Sequence, residues 1–167
     1  MVSGTTLEPR RLAIKYAEMQ GGTPQSMVVG SSVVTNAVTA ALPNGILAHS
    51  DETDDSHAPS GTHPGCAVVP AAMAMEEKND CDGEIFLKSV VLGYDVGSRV
   101  MRGLRPKDPF EGDRGRGFAS HAMGGVFGAA AAASGCTDMN PIQIRHLLSY
   151  TAQQASGILR GKPTWTT

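Results

Sequence analysis

The sequence predicts an all-α, mostly helical domain on three observations. Apolar residues recur at helical spacing through several long stretches. Helix punctuation stands at the ends of those stretches, most plainly at Asn140-Pro141. No alternation of apolar and polar residues runs far enough to make a useful strand, and no internal repeat is visible. At 167 residues the chain is long enough for one domain with a real core.

Leu7 to Gln20 carries Leu12, Ala13, Tyr16, Ala17 and Met19 among basic residues, which predicts an amphipathic helix ending at Gly21-Gly22. Ser26 to Gly30 reads as a short strand or an extended connector. Ser32 is placed to cap a second helix whose stripe Val34, Val38, Ala41, Gly45, Ala48 and Glu52 would bury one face. Pro43 should kink or break it between Leu42 and Asn44, because the ring removes a hydrogen bond and crowds the Thr39 carbonyl. Ala67 to Lys78 reads as a small-residue helix, with Pro70 acceptable only in its first turn. Asp82 caps a helix from Gly83 to about Gly103 that is apolar on nearly every face, the pattern of a central buried helix, and Asp95 and Arg99 can pair on it. Leu104 to Gly117 is an irregular loop. Phe118 to Ser134 is a helix whose glycines and alanines let a neighbouring backbone come close. Asn140 at the N-cap and Pro141 at N1 start a last helix with the stripe Ile144, Leu147, Leu148, Thr151 and Ala155.

Composition narrows the function. A net charge of −2 gives no electrostatic pull toward nucleic acid or an anionic membrane surface. Apolar residues are 41 % of the chain, yet the longest uncharged run, Met19 to Ser50, is broken by Pro24, Pro43 and several glycines, so it does not read as a membrane span. No basic segment followed by an apolar one opens the chain, which suits a cytoplasmic protein. Cys66, Cys81 and Cys136 are odd in number and widely spaced, which argues for buried thiols and against a disulfide framework, a zinc knuckle or an iron–sulfur cluster.

Histidines and carboxylates crowd together between Asn44 and Gly65. Continued as a helix, His49, Glu52 and Ser56 share one face and Asp51 and Asp55 another. Ala58-Pro59-Ser60-Gly61 then turns the chain, bringing His57 and His63 back over the acidic end. Two readings stand: a solvated helix terminus, or a proton-transfer site in which burial at the end of the stripe raises the Glu52 pKa. His49, Asp51, Asp55, His57 and His63 are suitable metal ligands, but their spacing matches no established site.

Asn44-Gly45, Ala48-His49, Asp54-Asp55-Ser56, His63-Pro64-Gly65 followed by Ala67 to Ala71, and the Gly-Ala stretch Gly124 to Ala133 together resemble the MmgE/PrpD family, which includes 2-methylcitrate dehydratase and cis-aconitate decarboxylase. The resemblance covers most of the chain. It implies a helical, bundle-like large domain that is incomplete here, since members are usually more than twice this length; residues 1–167 would be one such domain, cut short at both ends. It also implies lyase chemistry on a small di- or tricarboxylic acid without a metal or other cofactor, and a homodimer. An apolar helix at Ile85 to Met101 and the Gly-Ala surface point to the same association.

The resemblance maps an acidic residue onto Glu52, a hydroxyl onto Ser56 and a histidine onto His63. A β-elimination then takes His63 as base and the Glu52, Asp55 and Ser56 group as acid. His49, His57 and His121 are substrate contacts. At the start of a helix, His121 fits either a structural hydrogen bond or a base, and some relatives carry a histidine where this chain has Ala119. Arg114 and Arg116 are either a solvated tether or carboxylate clamps. Relatives use a lysine further on, and Lys162 does not share its context. The rival reading is a helical module without activity, serving in dimerisation; decarboxylation or epimerisation would use the same proton chemistry.

Overall fold

Helix α1 (Glu8–Gln20) opens with Pro9 in its first turn and stops at Gly21, whose φ of 58° suits glycine. It is the first regular α-helix of a computed structural model that describes residues 1–104 and 119–157. The chain then makes a small antiparallel hairpin, β1 (Ser26–Met27) with β2 (Val34–Thr35), before five further helices: α2 (Ala37–His49), α3 (Gly65–Asn79), α4 (Gly83–Leu104), α5 (Ser120–Gly135) and α6 (Pro141–Gln154). The domain is mostly helical, as the spacing of its apolar residues predicted.

Two corrections fall on α2. Ser32 does not cap it, because Ser31 and its neighbours close the hairpin turn: Ser31 Oγ donates to the Val28 carbonyl at 2.8 Å and accepts from Val33 N at 3.1 Å. The β-branched run that comes next pairs as β2, and Asn36 becomes the cap, accepting from Thr39 N at 2.9 Å. Starting later rotates the buried face onto Ala37, Ala40, Pro43, Asn44 and Leu47, and leaves Val38 83 % exposed. Nor does Pro43 break the helix. Its ring is buried, which offsets one missing hydrogen bond.

Asn44 explains how α2 is fixed. It is fully buried and satisfied on both sides, its Oδ1 accepting from Val29 N and its Nδ2 donating to the Met27 carbonyl, each at 2.9 Å. Glu77 of α3 accepts from Met27 N at 2.9 Å and so ties the same connector to the next helix. One core joins Ala17, Val28, Ala40 and Leu47. In α3, Pro70 lies beyond the first turn; the Cys66 carbonyl it leaves without a helical donor faces Gly45, where an added Cβ would lie 3.2 Å away.

The second core joins Val68, Ala72 and Ala132, flanked by Phe86, Val90 and Tyr94. Asp82 caps α4 by accepting from Ile85 N at 2.8 Å, and Asp95 pairs with Arg99 at 2.7 Å, both as expected. The expectation that α4 is buried on every face is corrected. Its buried seam is Ser89, Gly93, Gly97 and Met101, spaced four apart, whereas Leu87 and Val91 are 63 % and 67 % exposed. Small residues on α4 meet Gly124, Gly128 and Ala132 of α5, so the two backbones touch. Asn140 starts α6 with a full capping box to Gln143. Its stripe is shallow: Thr151 is buried, but Ile144 and Leu148 are each 40 % exposed. Of the thiols, Cys136 is buried, while Cys66 and Cys81 are half-buried. Among the described residues no helix is long and apolar enough to cross a membrane. The loop expected from Leu104 to Gly117 lies, after its first residue, outside the described residues.

Candidate active site

Helix α2 ends at His49, and that ending sets the path of the chain beyond it. Glu52 takes a positive φ of 55°, so the acidic run turns instead of continuing as helix, and the face that His49, Glu52 and Ser56 were expected to share does not exist. Glu52 and Ser56 are both exposed. The burial expected for Glu52 is therefore absent.

The turn swings Asp54 back under His49. Asp54 Oδ2 accepts from His49 Nδ1 at 2.8 Å, with the Asp54 side chain 7 % exposed and the imidazole 47 % exposed. The hydrogen bond to Asp54 raises the His49 pKa against the opposing effect of burial, and the charge of Glu52 adds to it. Burial pushes Asp54 upward, but the His49 hydrogen bond and charge outweigh it and hold the carboxyl below its ordinary value. His49 is thus biased toward imidazolium and Asp54 toward carboxylate.

His63 reaches the same place from the other strand of the loop. His57 N donates to the Thr62 carbonyl at 2.9 Å, closing a tight turn inside which His57 Nδ1, the Ser60 hydroxyl and the Thr62 hydroxyl hydrogen-bond in a row at 2.7 and 2.6 Å. This network ties His57 into the turn. Next along the chain, His63 Nδ1 lies 2.6 Å from the Asp55 carbonyl. A carbonyl only accepts, so Nδ1 carries the hydrogen and Nε2 of the neutral ring keeps a lone pair. Asp55 itself is engaged, its Oδ1 accepting from Gly65 N at 2.9 Å at the start of α3. The Tyr94 hydroxyl also bonds to Asp55; burial first, and that carboxylate second, push the tyrosine up to about 12. A side chain at Gly65 would strike the Asp55 carboxylate and come within 2.7 Å of the Tyr94 hydroxyl, which is why glycine follows His63-Pro64.

From α5, His121 stacks on His63 with ring centroids 4.7 Å apart, and the His49 ring lies 6.1 Å from that of His63. Burial lowers the His121 pKa, and the other two imidazoles lower it further. Three histidines from three elements therefore meet, one biased to hold a proton and one biased to stay neutral. Cys66 joins Asp54 from beneath; burial and the Asp54 charge push its thiol up to about 11. A cleft of about 320 Å³ opens beside Asp51, Asp54, Asp55 and Cys66. It borders the carboxylates rather than the imidazoles.

Of the residues singled out in the sequence, the fold brings together His49, His63 and His121, with Asp55 as a brace. Glu52 and Ser56 stay on the surface, and Arg114 and Arg116 lie outside the described residues. Asp54, Cys66 and Tyr94 were missed as partners. The only signal for Asp54 was its place in the acidic run.

The ion pair has a pH signature. A raised His49 pKa contributes stability that is complete below the ordinary histidine value of 6.5 and lost as pH rises through the folded value. A lowered Asp54 pKa contributes stability present above 3.8 and lost as pH falls through the folded value. Both act together between those limits. Because the imidazole is half exposed, the pair contributes on the order of 1 kcal/mol at most. Urea titrations should find Asp54→Asn more destabilising at about pH 5.5 than at about pH 9; an equal loss at both would separate Asp54 from His49.

The chain matches the MmgE/PrpD N-terminal domain over residues 1–166. Among curated proteins it is 28 % identical to the cis-aconitate decarboxylase of Homo sapiens over 98 % of this chain, and 27 % identical to that of Mus musculus over the same share. A cis-aconitate decarboxylase-like protein of Aspergillus oryzae is 27 % identical over 79 % of the chain. These alignments take in 34 %, 33 % and 28 % of the relatives, so the chain spans about a third of their length. With almost every residue matched, the chain belongs to the MmgE/PrpD family, of which it represents the N-terminal domain.

Proposed function

We propose that this domain supplies the proton-transfer side of a lyase that acts on a small tricarboxylic acid, with decarboxylation of cis-aconitate as the first reading. The observation that carries it is the placement of His63, whose Nε2 has no hydrogen-bond partner among the described residues, with its ring 6.1 Å from the ring of His49 in the His49–Asp54 ion pair. Decarboxylation breaks the bond to a carboxylate carbon, shifts an electron pair through the double bond and needs a proton delivered to carbon. An imidazolium held by a carboxylate is suited to that delivery. The names of the relatives support this choice of substrate.

Dehydration is the second reading, and the opposed histidines favour it: His63 takes a proton beside a carboxylate while His49 protonates the departing hydroxyl. Neither reaction asks Glu52 or Ser56 to be the acid. Arg114 and Arg116 are proposed to clamp substrate carboxylates, a role that falls outside the described residues. The domain is further proposed to act within a larger enzyme, since the relatives are about three times its length.

Incubation of an assembly containing this chain with cis-aconitate and with 2-methylcitrate, followed by proton NMR, separates the readings. A decarboxylated alkene formed from the first supports decarboxylation, and a dehydrated alkene formed from the second supports dehydration. A folded assembly that turns over neither is a helical module without this chemistry. No step asked of these residues needs a metal, so turnover is expected to survive EDTA; a loss restored by one added metal would overturn that.

Exposed Leu87, Val91 and Leu92 on α4, with Ile142 and Tyr150 on α6, leave apolar surface that a second copy can cover. A homodimer is proposed, and light scattering at micromolar concentration should report twice the monomer mass.

A further inference from the structure

Asp54 serves a second constellation besides its pair with His49. One ligand-type atom each from His49, Asp54 and Cys66 lie within 4.8 Å of one another. They come from the end of α2, the turn after it and the first turn of α3, so two of the three stand on helices. Asp54 and Cys66 also line the cleft, which gives an ion a way in and leaves room for a further ligand.

We propose that this trio is a binding site for a thiophilic divalent cation, zinc above all, whose occupancy is incompatible with proton transfer by His49. Nitrogen, carboxylate oxygen and sulfur are the ligand types zinc takes, and three protein ligands with a fourth position open is an arrangement it accepts. At bond lengths of about 2.0 to 2.3 Å a tetrahedral ion holds its ligand atoms roughly 3.3 to 3.7 Å apart. His49 Nδ1 and Asp54 Oδ2, now 2.8 Å apart, must separate slightly, and the thiol must close in. Asp54 sits in a turn and the His49 ring is half exposed, so both can adjust.

Binding exchanges protons for the ion. The Cys66 Sγ–H bond breaks and its proton goes to solvent, while the Nδ1 hydrogen of the His49 imidazolium also goes to solvent and Nε2 keeps its own. The fourth position faces the cleft and takes water or a carboxylate. No oxidation occurs. The metal would be an inhibitor, which is compatible with turnover that survives EDTA; only this inhibitory clause rests on the proposed function.

Cobalt titration of the purified chain tests the site without any turnover. One cobalt ion per chain should give a thiolate-to-cobalt charge-transfer band that zinc abolishes by displacement. The band should vanish in Cys66→Ala, and affinity should fall by about tenfold or more in His49→Ala and Asp54→Asn. Cys81→Ala should retain both, and circular dichroism checks that each variant is folded. A folded chain with no thiolate band, a band lost with Cys81→Ala alone, or unchanged affinity in folded His49→Ala would each overturn the site. If cobalt binds as described but zinc leaves turnover untouched, the site stands and the proton role of His49 falls.

Discussion

Replacing His63 with alanine is expected to lower kcat by about two or more orders of magnitude in an assembly of this chain that turns over substrate, the usual share of a general base. The expectation comes from how the ring is held. Its Nδ1 is committed to the Asp55 carbonyl, Asp55 is committed to Gly65 N, and His121 covers one face of the ring. Nε2, without a hydrogen-bond partner among the described residues, remains for chemistry. A ring held at Nδ1 and along one face loses little entropy on reaching a substrate proton. His49→Ala should be comparably damaging, and the double variant should be little worse than the poorer single one, because a base and an acid that serve one step are not additive. Glu52→Gln, on the exposed turn, should keep most of the activity. Near-normal turnover by a folded His63→Ala protein would place the proton chemistry elsewhere, and a severe loss in Glu52→Gln would restore the acid role that its surface position argues against.

The contrast between Glu52 and Asp54 shows where the sequence was readable. Features set by neighbours along the chain could be seen: the Asn140-Pro141 start, the Asp82 cap, the Asp95–Arg99 pair and the close approach announced by the glycines of α5. The gathering of histidines with the acidic run was visible in part, since His49 and His63 lie in that stretch. What failed were inferences that extended a helical period past its real end. Carrying the α2 stripe from Val34 to Glu52 required one uninterrupted helix, whereas hairpin pairing took its first residues and the left-handed turn at Glu52 came after its last. Tertiary pairing decides such ends, and periodicity is blind to it. A later start for α2 was enough to exchange its buried and exposed faces. A turn in place of a helix was enough to substitute Asp54 for Glu52 beside His49. The apolar faces of α4 misled for a related reason, since a helix in contact with α5 along one seam reads the same in sequence as one surrounded.

That seam carries the largest expected effect on stability. Gly97 faces α5 so closely that an added Cβ would lie 2.6 Å from the Gly124 carbonyl oxygen and 3.1 Å from the Gly128 Cα. Both are backbone atoms, which no rotamer change can move aside. Gly97→Ala would ordinarily stabilise a helix interior by about 1 kcal/mol. Here α4 and α5 must separate, which opens the packing of Val68, Ala72 and Ala132 behind them. Overpacking of this kind costs about 1 to 3 kcal/mol, and added backbone displacement places Gly97→Ala toward the upper part of that range. A domain of this size should then lose roughly 4 to 10 °C in Tm. Gly103, on the same helix, has nothing within 4 Å of the point where a Cβ would stand, so Gly103→Ala should be neutral or slightly stabilising. Opposite signs for the two substitutions identify contact with α5 as the cause. Because α5 also carries His121 to its stack on His63, Gly97→Ala should weaken turnover while the His49–Asp54 pair, held by α2 and the turn, keeps its pH signature. Equal and favourable effects of the two alanines would mean that α4 and α5 do not meet backbone to backbone.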